Sequence, residues 1–318
     1  MTDQLEQKWI AGFWIRIGAF FIDALLLGVM GFVLGNLFEE QFVQIGGVGR
    51  LVGFCIAIAY FGIMNSAVCE GQTIGKRLLN LRVVNSNNDV ISLPLSLLRY
   101  SVFGIPYFLN GAHFNENFLP EVVTYLLALV VFGGLLSTVY LYVFNRTTRQ
   151  SLHDLCAGTY VVNSDIEKGT TDAIWKPHYY IVACLFLVSA LSPLFLLAYV
   201  ENSELLNNKS FEELSQIRSD ILGVAEVTSA NVLVSQSSVS STDITKKYLK
   251  IQAFLNKAEI DNQALAQTIA NKAKENYSAL NEIETIYVTL TYGFDIGIAS
   301  LVESHSHKFE PTLFGIGE

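Results

Sequence analysis

"WIRIGAFFIDALLL", Trp14 to Leu27, reads as the opening of a membrane-crossing helix that carries two charges, Arg16 and Asp23. A charge at the centre of a bilayer costs about 2.5–3.5 kcal/mol on insertion scales, so residues of this kind mark polar interiors or functional sites. Seven residues separate the two, which puts them on one helix face about 10.5 Å apart along the axis. Helical side chains lean toward the N-terminus of their helix, so Asp23 leans toward Arg16 while Arg16 leans away. A direct pair within the helix is strained. Arg16 can snorkel to the headgroups or find an acid elsewhere, with Asp154 the first candidate and Glu70, after the second apolar segment, another. Asp23 needs a partner, a water-filled cavity or a proton.

The rest of the chain fits a membrane setting. Of its 318 residues, 51% are hydrophobic and 15% charged, against about 25% charged in soluble domains; the mean hydropathy is +0.40. The formal charge of −9 is uneven, with −2 over residues 1–200 and −7 over 201–318. An acidic second part excludes a nucleic-acid partner, which calls for a basic surface. "MTDQLEQK" has no basic n-region, so no cleaved signal peptide is expected. Cys55, Cys69, Cys156 and Cys184 form no CxxC pair and read as free thiols.

A span needs about 20 mostly apolar residues. Segments 17–38, 51–68, 122–144 and 178–200 qualify; 93–109 is shorter and holds Arg99 and Pro106. Loop charge decides its status, because Lys and Arg favour the cytoplasmic side. Loop 69–92 carries Lys76, Arg77 and Arg82, and 145–177 carries Arg146, Arg149, Lys168 and Lys176, whereas 110–121 has neither residue type. Both basic loops lie inside only if 93–109 also spans. The reading is therefore five spans, N-terminus inside and 201–318 outside. Trp9, Trp14, Tyr140, Tyr142, Trp175, Tyr179 and Tyr180 would mark the cytoplasmic interface, and Arg99 would snorkel.

Three stretches, "AGFWIRIGAFFIDALLL", "GQTIGKRLLNLRVV" and "TRQSLHDLCAGTYVV", together resemble the RDD family of bacterial membrane proteins, named for one arginine and two aspartates. The matching residues are Arg16, Asp23 and Asp154, and the resemblance spans about residues 8–165. It implies a 1–165 membrane domain in a bacterial cytoplasmic membrane, with ion or small-solute transport, including cation/proton exchange. The helix at 178–200 and the 201–318 domain are additions to it.

Besides recognition of a lipid or a partner, two readings of the charged residues stay open. Arg16, Asp23 and Asp154 could be a polar brace that fixes helix register in lipid. Alternatively Asp23 handles a cation or proton, since a carboxylate kept from water favours its neutral form. Lys76 and Arg77, on a short amphipathic "IGKRLLNL", are read as headgroup contacts; GxxxxGK[ST] is absent, so this is not a phosphate loop. Asn65 and Ser66 are read as bonding across helices, and His153 as a flank to Asp154. "LRVVNSNNDVIS" reads as strand, turn, strand, and "GTYVVN" as a further strand.

In the tail, "SFEE" at 210–213 is a capping box for a helix near 211–222. "EVTSANVLVSQSSVSS" reads as a strand with a Ser-rich exit. Leu249, Ile251, Ala253 and Leu255 alternate as a half-buried strand. Asp261 is placed to cap a helix whose stripe holds Leu265, Ile269 and alanines. "IETIYVTLTYGFDIGIASLVES" reads as two strands around "YGFD". The order α-β-β-α-β-β predicts a small α+β domain with an antiparallel sheet. Glu303, His305 and His307 share a strand face and are weak metal candidates; no metal, cofactor or catalytic signature is otherwise read, and no enzyme is expected.

The fold class is thus an α-helical multi-pass membrane protein of about five spans with a small soluble α+β domain. Expected partners are the lipid bilayer, further copies of the chain and an envelope protein meeting 201–318. The rival to transport is a membrane scaffold that presents this domain.

Overall fold

The computed structural model describes residues 9–112, 121–170, 173–202, 208–239 and 244–311. The signal-peptide reading of 1–8, most of loop 110–121 and the end of the Ser-rich exit, 240–243, lie outside them. The chain divides into two compact units. The first takes in Met1–Leu34, Gly47–Phe195 and Ile296–Ala299; the second takes in Gly35–Gly46, Leu196–Asp295 and Ser300–Glu318.

The first unit is helical and apolar outside. Helix α1 (Phe13–Leu37) is followed by α2 (Glu39–Ile45), which belongs to the second unit, then by a 3₁₀ turn at Gly46–Val48 and α3 (Gly49–Met64). Residues Glu39–Met64 form one helical segment long enough to span. The second span was expected at 51–68 after a loop at 39–50. Instead the helix begins twelve residues earlier and stops at Met64. It stops because Ser66 turns the chain: its Oγ donates to Ile63 and accepts from the Val68 amide. That local turn replaces the cross-helix role expected of Ser66.

Next come α4 (Ile74–Leu78), β1 (Leu81–Asn85) and α5 (Leu93–Leu109), the short apolar helix. Helices α6 (Glu121–Ala128) and α7 (Gly134–Phe144) are joined through a π-turn at Leu129–Gly133, and Val122–Phe144 is long enough to span. Two glycines there allow close approach. A Cβ on Gly133 would strike Phe186, and one on Gly134 would strike Pro106. Helix α8 (Leu152–Ala157), β2 (Thr159–Asn163) and α9 (Pro177–Asn202) complete the region, with Pro177–Phe195 a fourth candidate span. Among the described residues four helices are long and apolar enough to cross a membrane, and α5 is a shorter fifth. The chain is a multi-pass membrane protein.

Strands β1 and β2 pair antiparallel, Val83 opposite Val161, with Leu81, Val83, Val84 and Val162 fully buried. "NDVIS" contributes a single bridge, Val84 to Val90, rather than a strand. The segment before α1 joins this sheet: the Ala11 amide donates to Val161 O at 3.0 Å. Trp9 is accordingly buried against Tyr160, and Tyr142 lies under Arg16. Neither belongs to an aromatic belt, whereas Trp14, Trp175, Tyr179 and Tyr180 are exposed.

The second unit holds α10 (Asn208–Leu222), β3 (Val227–Val239), β4 (Ile244–Leu255), α11 (Gln263–Asn276), β5 (Ile283–Asp295) and β6 (Ser300–Phe309), in sheet order β3-β4-β5-β6. The expected element order is found, but the sheet is mixed. β4 and β5 run parallel, because α11 connects them as a crossover and a crossover returns the chain in the same direction. Helix α10 starts at Asn208, ahead of the expected cap at Ser210. Asn262, not Asp261, caps α11, accepting from the Leu265 amide at 3.0 Å. "YGFD" continues β5, and the turn falls at 296–299. One core unites Ile217 and Ile221, Leu249 to Leu255 on alternate positions, Leu265, Ile269 and Ile286 to Leu290. Phe42 of α2 packs on Phe294, ring centroids 5.5 Å apart.

Candidate functional site

Asp154 is the centre of one polar cluster. It is the third residue of α8, where its carboxylate accepts from the Ser151 amide and hydroxyl at 3.3 and 3.1 Å, a reciprocal cap. Two arginines converge on it. Arg16 Nη2 lies 2.8 Å from Oδ2, and Arg99 Nη2 lies 2.6 Å from Oδ1. Arg99 Nε and the Thr159 hydroxyl also donate to Oδ1, each at 3.1 Å. Arg16 further donates to the Arg149 carbonyl. Asp154 is 0% exposed, Arg16 7% and Arg99 6%, so this is an interior ion triad. Burial works to raise the Asp154 carboxyl, and Arg99, then His153 and Arg16, outweigh it, holding it well below the usual carboxylate range.

Asp23 forms a second, separate cluster. Its Oδ1 accepts from the Tyr60 hydroxyl at 2.7 Å and the Gly75 amide at 2.8 Å, and its Oδ2 accepts from the Thr73 hydroxyl at 2.6 Å. The sequence arranges this locally. Thr73 is the N-cap of α4, accepting from the Lys76 amide at 3.3 Å. Gly75 lets α4 reach α1, since a Cβ there would strike the Ala19 carbonyl. Asp23, 1% exposed, thus ties α1 to α3 and α4 through neutral donors. Arg16 and Asp23 share a helix face but not a partner.

Glu70 is exposed with φ +58°, and Arg16 has its partners elsewhere. Lys76 is not a headgroup contact. Its ammonium turns inward and lies 2.6 Å from Asn65 Oδ1, while the Asn65 amide nitrogen donates to Phe61 O at 2.8 Å. Arg77 is exposed. Arg99 does not snorkel, because Asp154 offers it a buried countercharge. His153 faces Ser151 Oγ at 3.1 Å, and burial holds its imidazole down at about 3.

These clusters face one cavity of about 280 Å³. Arg16, Asp23, Lys76, Arg99 and His153 give it charge or titratable groups, and Phe20, Phe61, Tyr100, Phe103 and Tyr142 are among its apolar walls. Arg99 and Lys76 are the site residues that the sequence reading placed at the membrane surface instead. The available signal was the same one that singled out Asp23: an ionisable group within or beside an apolar segment needs a partner.

In the second unit, the rings of His305 and His307 lie 4.7 Å apart, His305 Nδ1 is 3.1 Å from Asp261, and His307 Nε2 is 3.0 Å from Ile260 O. Glu303 sits opposite Tyr292 in the β5–β6 ladder. Among the described residues no group of three His, Cys, Asp or Glu is arranged to hold a metal ion.

Apolar spanning helices around a buried Arg–Asp–Arg triad define an integral membrane domain with a charged interior. Residues 10–158 match the model of the RDD family, so that this part of the chain is an RDD-type membrane domain, and a C-terminal α+β domain follows it. Two uncharacterized Bacillus subtilis (strain 168) proteins are similar to it. YxaI is 28% identical over 34% of this chain and 83% of its own length. YckC is 27% identical over 48% of this chain and 83% of its own.

Proposed function

We propose that the RDD domain moves an ion or small solute across the membrane, coupled to a proton, through the cavity at Arg16, Asp23, Lys76, Arg99 and His153. The observation that carries this reading is a charged cavity inside a bundle of apolar helices. Asp154 is compensated by two arginines, whereas Asp23 is bonded by three neutral donors and by no cationic side chain among the described residues. The membrane is a bacterial inner membrane, with the N-terminus inside and 201–318 outside, on the strength of the basic loops. Purified chain in vesicles with an internal pH dye tests it: a sodium or potassium gradient drives a pH change, and Asp23→Asn abolishes it while inserting normally. Unchanged flux in Asp23→Asn removes Asp23 from the mechanism.

The scaffold reading has its own support, since the Asp154 triad is saturated and the α+β domain has a complete core. It predicts that deleting 203–318 removes function, while substitutions in the spans act only through abundance.

A further inference from the structure

Among the described residues that line the cavity, Lys76 is the cation with no carboxylate in contact. Arg16 and Arg99 both bond Asp154. Asp23 is taken up by Tyr60, Thr73 and Gly75. The Lys76 ammonium has a neutral acceptor instead, Asn65 Oδ1 at 2.6 Å. Asn65 is held in that orientation by its bond to Phe61 O. Two arginines and two aspartates already balance, so a protonated Lys76 is surplus charge in a site walled by aromatic rings.

We propose that Lys76 is the group that takes up and releases a proton in this cavity, and that its charge alternates with a monovalent cation held at Asp23. On release, one N–H bond of the ammonium breaks, the electron pair stays on Nζ and the proton leaves to water. The neutral amine still donates to Asn65. The cavity then carries one positive charge fewer, and a monovalent cation can lie beside Asp23 without repulsion from the ammonium. The groups that face Lys76 support an amine poised between its two states. Burial, followed by Arg99 from α5, lowers it to about 7; Asp23 from α1 and Asp154 from α8 raise it, and Arg16 from α1 lowers it. His153 from α8 stays neutral at that pH. The alternation with a cation rests on the transport reading; the titration does not.

The test uses full-length protein in detergent, with ¹³C at lysine Cε. The Lys76 resonance, assigned by its loss in Lys76→Arg, is expected to titrate near 7. Asn65→Asp, which sets a carboxylate against the ammonium, is expected to move that midpoint up by at least one pH unit. A Lys76 midpoint near 10, as for a surface lysine, overturns the proposal, as does a midpoint indifferent to Asn65→Asp. In vesicles, Lys76→Arg, whose charge cannot be released, is expected to move neither protons nor cation. Cation-driven proton flux equal to that of wild type in Lys76→Arg also overturns it. If wild-type vesicles exchange neither sodium nor potassium for protons, the transport reading falls together with the alternation, and the titration alone decides whether Lys76 carries a proton.

Discussion

Asp154 carries more of the interior than any other single side chain described. Removing one partner of a buried ion pair costs about 3–5 kcal/mol, because the other charge is left unpaired. Asp154→Asn leaves two guanidiniums in that state at once. The expected outcome is a sharp loss of folded protein, read as a drop in detergent thermal stability and in membrane abundance. The pH dependence has a definite sign. The folded carboxyl lies below the unfolded one, so its stabilisation is complete above the unfolded value near 3.8 and is lost as pH falls toward the folded one. Wild type should therefore lose stability in acid below about pH 4 through this group, and Asp154→Asn should lack that component. Arg16 and Asp154 could be paired from sequence because a span arginine demands an acid. Arg99 could not, since a place near a helix end allows snorkelling as readily as burial.

At the scale of elements, α4 is held against α1 by Asp23. It is only five residues long, too short to be stable by its own hydrogen bonds. Asp23 stabilises it by accepting from Thr73 and Gly75 at its N-terminus, where a negative charge is favoured. Gly75→Ala drives a methyl into the Ala19 carbonyl, a backbone atom that cannot turn aside. Overpacking of this kind costs about 1–3 kcal/mol. Gly18→Ala is the control, because its Cβ would meet only the movable end of Leu79, at 3.3 Å. Thermal melts should separate the two, with Gly75→Ala several degrees below Gly18→Ala. Equal melting points would mean that the close approach of α4 contributes little. Sequence periodicity located α4 but not its inward lysine, since Lys76 and Arg77 are adjacent and only packing decides which one turns in.

At the scale of the whole molecule, the proposed five crossings put the two ends of the chain on opposite sides. Charge asymmetry between loops supports that arrangement. Cys55, Cys69, Cys156 and Cys184 are free thiols, so the topology test begins from a variant lacking all four. In right-side-out membrane vesicles, an impermeant maleimide should label Lys257→Cys, in the α+β domain, and spare Lys168→Cys, in the second basic loop. The reverse pattern, Lys168→Cys labelled and Lys257→Cys spared, would leave α5 as a helix that does not cross, and labelling of both from the same side would mean that α9 does not. The α+β domain was legible in element order because alternation and capping are local signals. Its parallel central pair was not, because a crossover and a hairpin can join the same strands.

Sequence by itself determined that this is a multi-pass membrane protein, that its first half resembles the RDD family, and that Arg16 requires a distant acid. Each follows from one-dimensional facts: apolar length, motif order and the cost of a charge in lipid. Only the tertiary structure decided that Arg16 and Asp23 belong to different clusters, that Arg99 completes the first, and that Lys76 faces the second across a shared cavity. The reason is physical. A buried charge states that it needs a partner, but the partner is chosen by which elements pack together, and residues 16, 99 and 154 meet only when three helices far apart in sequence have folded against one another.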